Sequence, residues 1–339
     1  MRSFNSKSAI LILAALALMV FLLPGLVRAD VSGSESAAAG QTIYLPLVMK
    51  GACTSAAPPA GNWLAYVNYY RALACLPAVT ENLAYTDGDQ KHAKYMVKHD
   101  YLGHDEPFGP DSTPEGAAAA AASNVMVSSD VNATDNYAIE LWMRGPFHAL
   151  GILDPKLQQT GFGSYREAIG LYHMAAALNV ISGLGSLPTS VTFPVKWPGD
   201  GLTVNLKSFD GFESPDPLTS CPPGYAAPTG LPIILQLGTG NAIPFGDPSP
   251  VTAYSIKQGA VTLESCEFDE NNYTNPTYQS LGRSILDARD AIVLIPRYPL
   301  AQGGTYTVSI TANGQTYTWS FSVSPLATAL ELGPEALIR

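Results

Sequence analysis

The hydrophobic period of this chain changes once, at about Pro188, and that change restricts the folds open to it. Before it, apolar residues recur at helical spacing. Trp63, Tyr66, Val67, Tyr70 and Leu73 follow Asn62, whose side chain suits the first free N–H groups of a helix. After it, short β-forming runs (Val191–Phe193, Ile233–Leu237, Ala291–Ile295, Tyr306–Ile310 and Tyr317–Val323) are separated by Pro, Gly and Asn-Gly. Asn313-Gly314, between two alternating runs, is a two-residue hairpin signal. Helices first and strands afterwards predict an α+β chain of two domains, 61–187 and 188–325.

Within the first domain a second helix is predicted from about Asp87 to Asp100, burying Ala93, Met96 and Val97. His92 and His99 share a face of it, and that face reads as solvated. The alanine run Ala117–Ala122 follows Pro114, a residue suited to a first helical turn. Tyr137, Ile139, Leu141 and Trp142 form another helix, which Gly145-Pro146 ends. Phe162, Leu171–Leu178 and Val180–Ile181 are the predicted strands that close the domain. The second domain alternates as a half-buried sheet does, and an antiparallel immunoglobulin-like β-sandwich is expected. Asp269-Glu270-Asn271-Asn272 lacks the spacing of a calcium loop and reads as a turn. The tail 326–339 reads as weakly helical.

The chain opens on Met1-Arg2 and Lys7, continues without charge from Ala9 to Val27, and reaches Val27-Arg28-Ala29. This describes a secretory signal over residues 1–29, with a retained membrane anchor as the alternative. Residues 30–60 are rich in Ala, Gly and Ser and read as a linker. No later stretch is apolar enough to span a membrane. A net charge of −10 without a basic run excludes an electrostatic footprint for nucleic acid. Four cysteines allow three connectivities. Pairing within domains favours Cys53–Cys75 and Cys221–Cys266, free buried thiols being the alternative.

Gly103-His104, Trp142 and Pro146-Phe147-His148, with Asn68–Arg71, His92-Ala93, Ile152–Pro155 and Thr160–Gly163, occur in an order that resembles a bacterial CAP domain. This is the superfamily of cysteine-rich secretory, antigen 5 and pathogenesis-related 1 proteins. The resemblance runs from about Trp63 to Ile181 and implies a three-layer α-β-α sandwich with a cleft. In many members two histidines and two glutamates line that cleft and sometimes hold a divalent metal such as zinc.

By this resemblance His104 and His148 are the cleft histidines and the candidate metal ligands, and Trp142 and the more loosely aligned His173 lie beside them. Ser123 stands at one glutamate position and Gly145 at the other. Two imidazoles without carboxylates balance a divalent charge poorly. No Gly-x-Ser-x-Gly, His-Glu-x-x-His or phosphate-binding Gly-rich loop is present. The expected function is therefore a secreted, non-catalytic protein binding a small, apolar or lipid ligand in its cleft. The alternatives are a His-dependent extracellular hydrolase and a cell-surface module that contacts other extracellular proteins.

Overall fold

A computed structural model describes residues 53, 57–107, 109–243, 246, 249–327 and 336–338. The signal segment and most of the linker and tail lie outside these residues. In chain order the first half comprises α1 (Trp63–Leu73), β1 (Thr80–Glu81), α2 (Leu83–Lys98), α3 (Pro114–Ala120) and β2 (Ser123–Ser128). It continues with α4 (Asp135–Arg144), α5 (Pro146–Ile152), β3 (Gln159–Thr160), β4 (Phe162–Arg166) and β5 (Met174–Asn179).

Local chemistry starts these helices where the spacing predicts. Asn62 Oδ1 accepts the Ala65 N–H, Thr113 Oγ1 accepts the Gly116 N–H before Pro114, and Thr134 caps α4 through Tyr137 N–H. Helix α2 begins at Leu83, a turn earlier than predicted, because Asn82 caps it by accepting from Ala84 N–H. Pro146 ends α4 and also opens α5, a helix that the sequence pattern does not announce.

Strands β2, β5 and β4 pair antiparallel in that order. Val125, Val127, Ala175 and Ala177 pack with Ala93, Met96 and Val97 of α2. Met126, Ala176 and Leu178 belong instead to the core that holds Tyr70, Trp142 and Leu150. Both faces of the sheet are thus buried between helical layers, giving the expected α-β-α arrangement. A fourth strand, Ala336–Ile338, pairs antiparallel with β2 at Met126–Ser128, so this part of the tail is a strand and not helical.

The second half comprises β6 (Val195–Trp197), β7 (Thr203–Val204), β8 (Ser208–Phe209), β9 (Thr229–Gly230), β10 (Ile233–Gln236), β11 (Val251–Gln258), β12 (Val261–Leu263) and β13 (Ser265–Phe268). Helix α6 (Gln279–Asp287), β14 (Ala291–Pro296), β15 (Thr305–Ala312) and β16 (Gln315–Val323) follow, and the tail strand is β17. Two larger sheets form, β13-β14-β10-β6 and β12-β11-β15-β16-β7, beside the two-stranded β8-β9 pair. Pairing is antiparallel except between β7 and β16. The predicted strand Val191–Phe193 is not one; the chain pairs four residues later, at Val195–Trp197. Asn313-Gly314 turns β15 into β16 with φ of +50° and +74°, as the hairpin signal requires.

Strands β10 and β14 are buried on both faces, which explains the continuous apolar run Ala291–Ile295. One face meets the inward side chains Tyr306, Val308, Ile310, Trp319 and Phe321 of the other sheet within a shared core. That core continues into the first half, where Trp197 makes an edge contact with Tyr70 at 5.8 Å and Phe147 contacts Tyr273 at 5.1 Å. Both favoured disulfides are formed, Cys53–Cys75 and Cys221–Cys266.

Candidate functional site

The segment Trp142–His148 is where the second half of the chain grips the first. Helix α4 ends at Arg144, whose buried guanidinium donates to the Ser208 carbonyl (3.2 Å) and hydroxyl (3.0 Å) and to Asp210 (3.2 Å). Helix α5 starts one residue later with no side-chain cap of its own, since Gly145 supplies none. Glu213 fills that role from outside the domain. Its Oε1 accepts the His148 backbone N–H and the His148 Nδ1–H, both at 2.8 Å. A carboxylate at a helix N-terminus meets free N–H groups and the positive end of the helix dipole.

Gly145 makes this placement sterically open. A Cβ there would lie 2.6 Å from Glu213 Oε1 and 2.7 Å from the carboxyl carbon. The carboxylate that the resemblance places at position 145 is therefore present in space, carried by Glu213 in the second half. Burial raises the Glu213 pKa, opposed by its bonds to His148. The pair is closed to solvent, His148 being 6% exposed and Glu213 0% at the side chain.

The other end of α5 is held as firmly. The buried Arg71 guanidinium of α1 donates to the carbonyls of Ile152 (2.7 Å), Asp154 (3.0 Å), Leu157 (3.2 Å) and Pro77 (2.8 Å). Gln236 Nε2 of β10 donates to the Leu153 carbonyl, and Arg289 pairs with Asp154 at 2.9 Å. Cationic donors at the last carbonyls of a helix complement its dipole.

Ser123 also finds a carboxylate. Its hydroxyl donates to Asp89 Oδ1 of α2 at 2.6 Å, and both residues are buried. Burial pushes the Asp89 carboxyl up to about 7, against the lowering effect of the Ser123 and Asn179 hydrogen bonds. Next along β2, Asn124 Nδ2 donates to the His148 carbonyl at 3.0 Å.

The remaining candidates make the following contacts among the described residues. His104 is exposed at the end of the Gly103 turn, its Nδ1 meeting the Ala120 carbonyl at 3.0 Å. The Nε2 of His173 meets the Gly170 carbonyl at 3.2 Å. Trp142 is fully buried, donating to the Val125 carbonyl at 3.3 Å and packing edge-on to Phe162. Among the described residues no group of three His, Cys, Asp or Glu side chains is placed to hold a metal ion.

His92 corrects the sequence reading, because it lies in the interior and not on a solvated face. Its ring bridges Glu106 (3.1 Å) and the Gly103 carbonyl (3.0 Å), and burial lowers its pKa. Glu106 in turn accepts the Thr113 N–H at 2.8 Å, which fixes the 103–113 turn that carries His104. Asp89, Glu106 and Glu213 carry this architecture, and nothing in their sequence spacing marks them. Only Glu213 had a local cue, its place in the Pro-rich joint Glu213-Ser214-Pro215-Asp216-Pro217.

The model of the cysteine-rich secretory protein family, CAP, matches residues 64–178. The chain is similar to an extracellular protein containing an SCP domain from Bacillus anthracis str. Ames, known from a 1.5 Å crystal structure. Identity is 17%, the match spans 35% of this chain and 39% of that one, and the TM-score is 0.27. No curated protein matches the chain. The CAP family model covers residues 64–178, the part that carries the α-β-α layers and the helix gripped by Glu213, and this part of the chain is a CAP domain.

Proposed function

We propose that this chain is an exported, non-catalytic CAP-domain protein that works by binding an apolar ligand, with an immunoglobulin-like second domain presenting it. The observation that carries this reading is the buried Glu213–His148 pair. An acid/base or metal-binding imidazole needs reach to a substrate or ion. His148 is 6% exposed, and the carboxylate that caps its helix holds its Nδ1 and backbone N–H. His104 lies on an exposed turn, its Nδ1 on the Ala120 carbonyl. Two disulfides support an oxidising, extracytoplasmic compartment.

An exposed apolar rim supports the ligand class. Leu83 (74% exposed) and, in one short segment, Ile181 (53%), Leu184 and Leu187 are exposed. The bond from Tyr85 Oη to the Ser182 carbonyl (3.0 Å) draws the start of α2 against that segment. Clustered exposed aliphatic side chains mark contact with lipid or an apolar partner.

Flotation of the purified protein with phosphatidylcholine vesicles, with and without sterol, tests the proposal. Wild type should co-float, and the double variant Leu83→Ser/Ile181→Ser should stay in the soluble fraction. Absence of co-flotation overturns the lipid reading. Ester or peptide turnover that disappears in His148→Ala would establish the hydrolase in its place.

A further inference from the structure

The loop from β14 to β15 holds an exposed tyrosine on a rigid mount. Tyr298 is 68% exposed, and the Arg297 guanidinium lies over its ring at 5.7 Å and over the Tyr225 ring at 5.6 Å. The negative faces of both rings attract that cation. Arg297 is fixed further by its own bonds. Its Nη1 donates to Glu264 Oε1 (2.6 Å), its Nη2 to the Gly224 carbonyl (3.2 Å) and its backbone N–H to the Glu264 carbonyl (2.8 Å). Later in the loop the Leu300 N–H donates to the Lys207 carbonyl (2.9 Å) and the Ala301 N–H to the Tyr306 hydroxyl (2.7 Å). A large, flat side chain kept in water by a fixed loop is the kind of anchor that binding sites use.

Tyr298 lines a cavity of about 130 Å³. Gln258, Leu263 and Glu264 border it from the β11–β12 hairpin and the residue after it, and Pro296 and Pro299 from the end of β14 and the loop. This lining divides chemically. Tyr298, the two prolines and Leu263 offer apolar surface, whereas Gln258 and Glu264, both exposed, offer a carboxamide and a carboxylate. The Glu264 charge is matched by Arg297, so the border presents hydrogen-bonding groups without a net charge. The volume is well below the roughly 300–1,000 Å³ of a drug-sized ligand site, and it suits one small ring.

We propose that this cavity binds a single pyranose ring of a neutral polysaccharide, with a C–H face of the sugar on Tyr298 and its hydroxyls on Glu264 and Gln258. A pyranose has the same division as the lining, an apolar face of C–H groups and an edge of hydroxyls. A carboxylate accepts hydroxyl hydrogens, and a carboxamide both donates and accepts. An anionic ligand would meet the Glu264 carboxylate on a chain of net charge −10. An acyl chain would leave Glu264 and Gln258 desolvated without partners, and a proline ring brings no hydroxyl to them. The site belongs to the second half of the chain and does not rest on lipid binding by the CAP domain.

Native electrophoresis of the purified full-length protein through gels that contain hydroxyethyl cellulose, laminarin, galactomannan or dextran is the test. At least one of these neutral polysaccharides should retard wild type. Tyr298→Ala should weaken the retardation by about tenfold, the scale of losing an aromatic anchor. Tyr298→Phe keeps the ring and should be retarded as wild type is, and Gln258→Ala should be retarded several-fold less. Both positions are exposed, so the variants should melt with wild type. Flotation of Tyr298→Ala with phosphatidylcholine vesicles should match wild type, so that this site and the lipid reading fail separately. No retardation in any gel, or equal retardation of Tyr298→Ala, overturns the sugar site. Binding of decaproline that Tyr298→Ala abolishes, with no retention by a polysaccharide, would overturn it in favour of a Pro-rich peptide.

Discussion

One oxygen of Glu213 meets two groups of His148, the backbone N–H and the ring Nδ1, each at 2.8 Å. A single carboxylate thereby caps α5, fixes an imidazole and ties the second half of the chain to the CAP domain. Glu213→Ala would leave two buried donors and the volume of the side chain unfilled. It should lower stability by about 3 kcal/mol, the lower end for breaking a buried pair by removing one partner. Urea denaturation measures this, and a loss below about 0.5 kcal/mol, the size of an ordinary surface substitution, would show the cap to be unimportant.

Gly145 and Glu213 should be energetically coupled. Gly145 has φ of −91°, so alanine is conformationally acceptable there and only space opposes it. Gly145→Ala should destabilise the wild type, because its Cβ would meet the buried carboxylate. The same change in a Glu213→Ala background should be nearly neutral. A double-mutant cycle should return a coupling of about 1–3 kcal/mol, and additivity would contradict the close approach.

The stability of this protein should fall as pH rises through the weakly acidic range. Burial pushes the folded pKa of Asp89 to about 7, against an ordinary aspartate value of 3.8. The folded state therefore binds the extra proton, and stability declines from about pH 4 to pH 7 and then levels with respect to this group. The full change is about 4 kcal/mol at 1.36 kcal/mol per pKa unit. Glu267 and Glu270, each pushed up to about 8, continue the decline above pH 7. Asp89→Asn keeps a Ser123 partner without the charge and should flatten the slope below pH 7. Denaturation midpoints across a pH series check this, and an equal slope in the variant would contradict the assignment.

The Cys221–Cys266 bridge closes a separation of 45 residues and joins the loop after the joint to β13. In the chain-entropy model a loop of that size is worth about 4 kcal/mol. The Cys221→Ser/Cys266→Ser variant should melt well below wild type. Melting temperatures of the two proteins under oxidising conditions, with wild type after reduction as a third sample, test it; coincident transitions would show that the bridge contributes nothing.

The helices of the CAP domain were legible because they carry caps and periodic apolar faces that act over a few residues, whereas the α-β-α layering was implied by the resemblance. Asn62, Thr113-Pro114 and Asn313-Gly314 each specify local geometry, and each does so in the structure. Helix α5 was not legible, since Gly145 gives no cap and the capping carboxylate arrives from Glu213. The site was misread for the same reason. Ser123 and Gly145 look like lost carboxylates along the chain, yet Asp89 and Glu213 bring carboxylates to both places across distances that spacing does not encode. His92 reads as surface on a helix net until the 103–106 turn folds over it. Strand β11 was missed because most of its side chains are exposed, so it carries little hydrophobic signal.

Sequestration of His148 is best tested by imidazole ¹⁵N–¹H spectra of the folded protein during a zinc titration. The His148 Nδ1–H should be visible, slow to exchange with water and unmoved by zinc, with any shift confined to exposed histidines. Joint perturbation of His104 and His148 at one equivalent of zinc, with loss of the His148 Nδ1–H signal, would place both rings in one metal centre and contradict the bridge.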